Sequence, residues 1–228
     1  MRYSTFLLDL DHTLFDSDTS EQKAFAQTMH AANVEDAERY RQTYREINLA
    51  LWARVERHEL TPQQVRSMRF EQLVVREGID ADPAEMARNF VAALGANGEL
   101  YEGVREVLDR LRGNVSLALI TNGLSEVQRA RIERLDIDRY FDAVVISAEV
   151  GTAKPGSKIF DITFEALNFP DKKTAVMVGD NLSSDIQGGA GYGIATCWYN
   201  PQGRAAESPH DAAHEITDMA ELLGLVAL

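Results

Sequence analysis

The sequence predicts an α/β fold, a doubly wound parallel sheet of Rossmann-like form, with a helical domain inserted after its first strand. Short apolar runs recur without polar alternation at residues 6–8, 115–120, 143–146, 175–178 and 194–198, as in strands buried on both faces. Segments with helical period separate the later runs, the pattern of a parallel sheet with crossover helices. Between about residues 17 and 97 the alternation stops and only helix signals remain. At roughly 150 residues per domain, a chain of 228 suits either one domain with a large insertion or two domains.

Taken in order, the first run, 6–8, leads straight into acidic residues. In the insertion, Phe25 with Met29, and Ile47 with Leu51 and Val55, recur at the spacing of a single helix face. Thr61-Pro62-Gln63-Gln64 offers a capping Thr, Pro at the first helical position and Gln at the third, ahead of Val65, Met68 and Leu73. Asp82-Pro83-Ala84-Glu85 repeats the device ahead of Met86, Phe90 and Leu94, with Gly95 as the expected stop. Hinges are expected at 15–19 and 95–98, so 1–16 and 98–228 form the α/β core and 17–97 the helical domain. Further helices are expected at 127–135, 159–167 and 184–190, and a last one at 217–223.

Lys and Arg total 23 against 36 Asp and Glu, a net charge of -13 that repels polymeric nucleic acid and anionic membrane. No run approaches the roughly 20 apolar residues of a spanning helix, and the apolar stretch near the N-terminus is too short for a signal peptide. The expected location is cytoplasmic, as a monomer or homodimer. The single cysteine, Cys197, lies in a strand-like run with no His beside it, the setting of a buried structural thiol.

Asp9 and Asp11 directly follow the first strand. Carboxylates there are costly unless a cation or a reacting group uses them, and ligands of open α/β sheets bind beyond strand ends. The simpler alternative is an acidic turn capped by Asp9. After the fourth strand, Gly179-Asp180 and Asp185 supply a second acidic pair; helix capping would account for Asp185 but not for Asp180. Two such pairs suit a hard divalent cation such as Mg²⁺. The second strand ends in Thr121-Asn122-Gly123, a hydroxyl followed by amides that open a helix, which is an anion site. Lys154 lies just beyond the third strand, its backbone restricted by Pro155.

In this order the residues resemble the motifs of the haloacid dehalogenase superfamily of phosphohydrolases. Asp9-Leu10-Asp11-His12-Thr13 matches its DxDxT motif, Thr121 its Ser/Thr, Lys154 its Lys, and Gly179-Asp180 with Asp185 its GD(x)nD motif. The helical insertion resembles that family's C1 cap. A narrower resemblance, to its pyrimidine 5′-nucleotidase members, rests on Ile120-Thr121-Asn122-Gly123, Ala153-Lys154-Pro155 and Ala195-Thr196-Cys197-Trp198-Tyr199-Asn200, among other segments. His12 departs from the acid that subgroup often carries at its position.

The resemblance implies Mg²⁺-dependent phosphomonoester hydrolysis through an aspartyl-phosphate. Asp9 would be the nucleophile and Asp11 the acid, then the base. Asp9, the backbone carbonyl of Asp11 and Asp180 would hold the metal, with Asp185 as an outer partner. Thr121, the Asn122 amide and Lys154 would bind the phosphoryl oxygens, and Thr13 would orient the loop. Phe15, beside the acid loop, is the expected substrate contact, whereas Tyr44, Trp52 and Phe70 at helical spacing suit a core. The implied substrate is a small phosphorylated metabolite, a pyrimidine nucleotide; sugar phosphates or phosphoglycolate, with hydrolase or mutase chemistry, are the alternative. A dehalogenase would not be expected to keep Asp11, and a receiver-type phosphoacceptor protein has no need of the cap. Residues 151–158 are not a phosphate-binding Walker loop, since Pro155 interrupts them and the Ser157-Lys158 order is inverted.

Overall fold

Alternate side chains along each strand feed two separate cores, which is why the strands read as unbroken apolar runs. The computed structural model describes residues 3–57, 59–205 and 212–227. The strands are β1 (Thr5–Leu8), β2 (Ser116–Thr121), β3 (Ala143–Ile146), β4 (Ala175–Gly179), β5 (Ala195–Tyr199) and β6 (His214–Ile216). All pair in parallel, in the order β3-β2-β1-β4-β5-β6. Phe6, Leu8, Leu117, Leu119, Val176 and Val178 pack on one face; Leu7, Ala118, Ile120, Ala175 and Met177 pack on the other. Winding reverses between β1 and β4, and the crevice this opens lies at their carboxyl ends.

Between β1 and β2 come α1 (Ser17–Ala31), α2 (Glu38–Glu56), α3 (Pro62–Glu77), α4 (Pro83–Ala96) and α5 (Val104–Leu111). The first four of these enclose their own core, centred on Tyr44, whose ring lies 4.6 Å from Phe25, 5.5 Å from Phe90 and 5.9 Å from Phe70. Helix α3 starts as expected: Thr61 Oγ1 accepts from Gln64 N–H at 3.3 Å, and Gln64 Oε1 accepts from Thr61 N–H at 2.9 Å. Gly95 does not stop α4, which runs on to Ala96. A β-carbon at Gly95 would stand 2.9 Å from Ala130 Cβ on α6 (Ser125–Arg134), so the glycine serves close helix packing instead.

The remaining helices are α7 (Ser147–Val150), α8 (Ser157–Ala166) and α9 (Gln187–Tyr192). The segment ahead of α9 is a wide π-type turn, Leu182–Ile186, because the Asn181 side chain caps Ser183 and Ser184 N–H while Asp185 turns back onto Asn181 N–H. The last expected helix is a 3₁₀ segment, Met219–Leu225, capped by Asp218. Among the described residues no helix is long and apolar enough to cross a membrane.

The chain leaves and re-enters the sheet layer through a narrow neck. Phe15 pairs antiparallel with Leu100, Asp16 N–H donates to Glu99 O at 2.9 Å, and Tyr101 N–H donates to Leu14 O at 3.0 Å. Gly98 sits inside the neck at φ +93°, and a β-carbon there would overlap the Phe15 ring. Gly98→Ala therefore combines backbone strain with overpacking and is expected to cost about 2–4 kcal/mol. Urea unfolding measures this, and a loss near zero would show that the neck is loosely packed.

Candidate active site

Asp9 N–H still bonds Val178 O at 3.0 Å, so Asp9 prolongs the β1 ladder by one residue before the chain turns away. Leu10 O then accepts from Leu14 N–H at 3.0 Å and Phe15 N–H at 2.9 Å, closing residues 10–15 into a tight loop. His12 holds the left-handed region within it, at φ 62°, a conformation that persists only where its surroundings over-determine it. The loop turns both Asp9 and Asp11 toward one cavity. Thr13 is buried behind them; its hydroxyl donates to Asp9 Oδ2 at 3.2 Å and accepts from Asp180 N–H at 3.1 Å, joining the loops after β1 and β4.

Carboxylate oxygens of Asp9, Asp180 and Asp185 lie within 4.8 Å of one another. Lys154 Nζ stands among them, 2.6 Å from Asp9 Oδ1 and 2.7 Å from Asp185 Oδ1, and also donates to Ile120 O at 2.8 Å. Lys154 and Asp185 are each only 1% exposed. Gly179 is what lets Asp185 approach, because a β-carbon there would overlap the Asp185 carboxylate. Burial, then the neighbouring carboxylates, push Asp9 up to about 8 against the opposing pull of Lys154. Burial and Asp185 likewise push Asp180 up to about 7. Burial works against the Lys154 charge, but Asp185 and Asp9 outweigh it and raise its pKa, so it stays an ammonium. The Lys154 ammonium among three carboxylates, with the Arg204 guanidinium 3.6 Å from Asp180 Oδ2 at the rim, leaves fewer cations than carboxylates, and the all-oxygen donors suit a hard divalent cation.

Asn122 and Lys154 clasp each other: Asn122 Nδ2 donates to Lys154 O and Lys154 N–H donates to Asn122 Oδ1, both at 2.9 Å. Thr121 is buried at the end of β2, its Oγ1 accepting from Gln128 Nε2 at 2.8 Å. The cavity above these residues measures about 550 Å³. Arg45, Asn48 and Trp52 of α2 line its far side, and Arg204, after β5, lies at 3.0 Å from Asp180 O. Glu56, near the end of α2, accepts from Ser183 Oγ at 2.6 Å and Asn181 Nδ2 at 3.2 Å, tying the insertion to the loop after β4.

The substrate contact expected at Phe15 is not made there. Its ring is 0% exposed, locked in the neck under the Arg131 guanidinium at 4.4 Å, and does not line the cavity. Tyr44 and Phe70 are core as expected, but Trp52 lines the cavity. Its signal was legible, because Arg45, Asn48 and Trp52 recur at helical spacing apart from the apolar set Ile47, Leu51 and Val55. The sequence reading also missed the donors around Asp11: Ser17 Oγ at 2.5 Å, Gln128 Nε2 at 2.6 Å and Arg131 Nη1 at 2.7 Å. Burial pushes the Asp11 carboxyl up, but Arg131, Ser17, His12 and Gln128 together hold it below the ordinary carboxylate range. Cys197 is fully buried, and that burial pushes its thiol up to about 12, which fits an inert structural role.

A carboxyl group whose pKa rises on folding binds its proton more tightly in the folded chain, so its contribution to stability falls as pH rises toward that pKa. With divalent cations chelated, the urea midpoint is expected to fall between about pH 5 and pH 8, the window spanned by Asp180 and Asp9. Asp180→Asn is expected to flatten that slope; an identical slope in both proteins would contradict the charge balance described.

The family profile of the haloacid dehalogenase-like hydrolases matches residues 3–193. Pyrimidine 5′-nucleotidase YjjG of Escherichia coli is 35% identical over 227 residues, covering 96% of this chain and 98% of the relative. Pyrimidine 5′-nucleotidase PynA of Streptococcus pneumoniae is 31% identical over 224 residues, covering 98% and 94%. The solved structure of the HAD-hydrolase YfnB of Bacillus subtilis, bound to magnesium, superposes with a TM-score of 0.91 at 27% identity over 100% of both chains. Matched along nearly its whole length in sequence and shape, the chain belongs to the haloacid dehalogenase-like hydrolase family.

Proposed function

We propose that this hydrolase is a Mg²⁺-dependent 5′-nucleotidase for pyrimidine nucleoside monophosphates, working through a phosphoryl group carried on Asp9. The observation that carries the reading is the placement of Asp9 at the reversal of the sheet, grouped with Asp180 and Asp185, braced by Lys154 and open to a cavity of about 550 Å³. The two nucleotidase relatives support the choice of substrate.

In the first step an Asp9 carboxylate oxygen bonds to phosphorus as the ester P–O bond breaks; Asp11, held toward its ionised form in the free protein, takes the proton of an ester entering as its monoanion and gives it to the departing alkoxide. In the second, Asp11 takes a proton from water, the water oxygen bonds to phosphorus, and the Asp9–phosphorus link breaks to release phosphate. Lys154 fixes the Asp9 carboxylate and, with Thr121 and the Asn122 amide, offsets charge on the phosphoryl oxygens. Asp9, Asp180 and the Asp11 backbone carbonyl would hold Mg²⁺, with Asp185 as outer partner; the bound ion would neutralise the carboxylates and the transferring phosphoryl group. Residues 17–97 act as a cap domain over a core formed by 1–16 and 98–228. Trp52 on α2 offers the flat face on which a base stacks.

Phosphate release from UMP, dUMP, dTMP, purine nucleotides and sugar phosphates, with Mg²⁺ and then with chelator, tests the reading. Pyrimidine nucleotides are expected to lead, chelation to stop release, and Asp9→Asn to abolish it; release that survives either change overturns the mechanism, and a sugar phosphate in first place overturns the substrate. Trp52→Ala is expected to raise KM for UMP by about 3- to 10-fold while leaving glycerol phosphate nearly unchanged. An equal rise for both would remove the stacking role.

A further inference from the structure

Asp11 is the side chain whose proton must move twice, and both of its oxygens are taken up by neighbouring donors. Oδ1 accepts from Ser17 Oγ at 2.5 Å and from Arg131 Nη1 at 2.7 Å; Oδ2 accepts from Gln128 Nε2 at 2.6 Å. Gln128 and Arg131 stand three residues apart on α6, and they are only 1% and 4% exposed.

Arg131 is fixed without any help from Asp11. Its Nε donates to Leu94 O, Nη1 to Gln128 Oε1 and Nη2 to Ser20 Oγ, each at 3.2 Å, and its plane lies over the Phe15 ring. Gln128 has no freedom to flip. Its Oε1 is taken by Arg131, and its amino group gives one hydrogen to Thr121 Oγ1 at 2.8 Å and the other to Asp11 Oδ2. The two form a rigid bracket spanning the end of β2, the neck and the loop after β1. An isolated ion pair would fix one oxygen of Asp11; this bracket fixes both, and with them the carboxyl plane.

We infer that Gln128 and Arg131 are positioning residues that aim the Asp11 carboxyl at the leaving oxygen, a role that rests on the phosphatase reading above. Proton transfer needs its donor within hydrogen-bond reach, about 2.6–3.2 Å, and contributes about 10²–10⁴-fold. The requirement depends on the ester. An alkoxide must be protonated as it leaves, whereas p-nitrophenolate departs without a proton. Both esters present the same phosphoryl group to Thr121, Lys154 and the metal site, so any disturbance passed through Thr121 affects them alike and cancels in their ratio.

Water attack on the phosphorylated Asp9 also uses Asp11 and is common to both esters, so the test follows the first half-reaction alone: rapid-quench single turnovers of the Mg²⁺-loaded protein give the rate at which p-nitrophenolate, or the alcohol of whichever of UMP, dUMP or glycerol phosphate turns over fastest, is released. Gln128→Met keeps the volume and removes the hydrogen bonds; Arg131→Lys keeps the charge and removes the fork. For either variant, the single-turnover rate on the alkyl ester is expected to fall about 10²-fold and on p-nitrophenyl phosphate by less than about 3-fold. Equal losses on both esters, or no loss on the alkyl ester, overturn the positioning role. If Gln128→Met does not fold, the same ratio measured on Arg131→Lys decides. Failure of the unaltered protein to release phosphate from any of these esters would overturn the phosphatase reading, and the positioning role with it.

Discussion

The Lys154 ammonium, held between Asp9 and Asp185, is the contact on which the arrangement depends. Three carboxylates at the ends of β1 and β4, those of Asp9 and Asp185 buried and that of Asp180 half-buried, lie close enough to repel one another, and an uncompensated buried charge costs several kcal/mol. Lys154 can supply the compensation because it is itself fixed from two sides: the Asn122 clasp sets its backbone and Ile120 O receives its head. The parallel sheet order makes this possible, since β1, β2, β3 and β4 all deliver their carboxyl ends to one edge. The cluster still holds more carboxylates than cations, and that imbalance is the physical reason it suits a divalent cation.

The second constraint is the neck. A helical insertion is useful above a reaction centre only if its two connections hold it in register, and here they pair with each other instead of running loose. Arg131 and Arg134 add side-chain ties from α6 to Leu94, Gly95 and Gly98. Glu56 adds one more on the opposite side, at the loop that carries Asp180 and Asp185. The cavity therefore has a floor of carboxylates and Lys154 from the sheet and a wall from α2, with contacts on both sides that couple the two.

What was legible in the sequence follows from what each residue must do locally. Strands buried on both faces cannot hide their apolar runs, and acids placed straight after such strands have few structural uses; β1, β4, Asp9, Asp11, Asp180 and Asp185 were found on those grounds. Thr61 and Asp82 marked their helices because capping is a property of adjacent residues. Phe15 was misread because nearness to the acid loop in sequence says nothing about the returning chain at Leu100, which buries it. Gln128 and Arg131 look like ordinary polar residues of a helix, and only the tertiary fold brings them to Asp11. Helix α5 was visible in Val104, Val107, Leu108 and Leu111 and was passed over, whereas β6, of three residues, is too short to give a periodic signal.

The proposed carriage of the phosphoryl group by Asp9 itself links the two half-reactions. It is tested most directly by acid-quenching the Mg²⁺-loaded protein within the first turnovers of its best substrate and mapping phosphorylated peptides by mass spectrometry. The expected result is a phosphoryl group on Asp9 that appears before the steady state and disappears as substrate is exhausted. Steady release of phosphate with no phosphorylated peptide at any quench time, or with the group on another residue, would contradict the account.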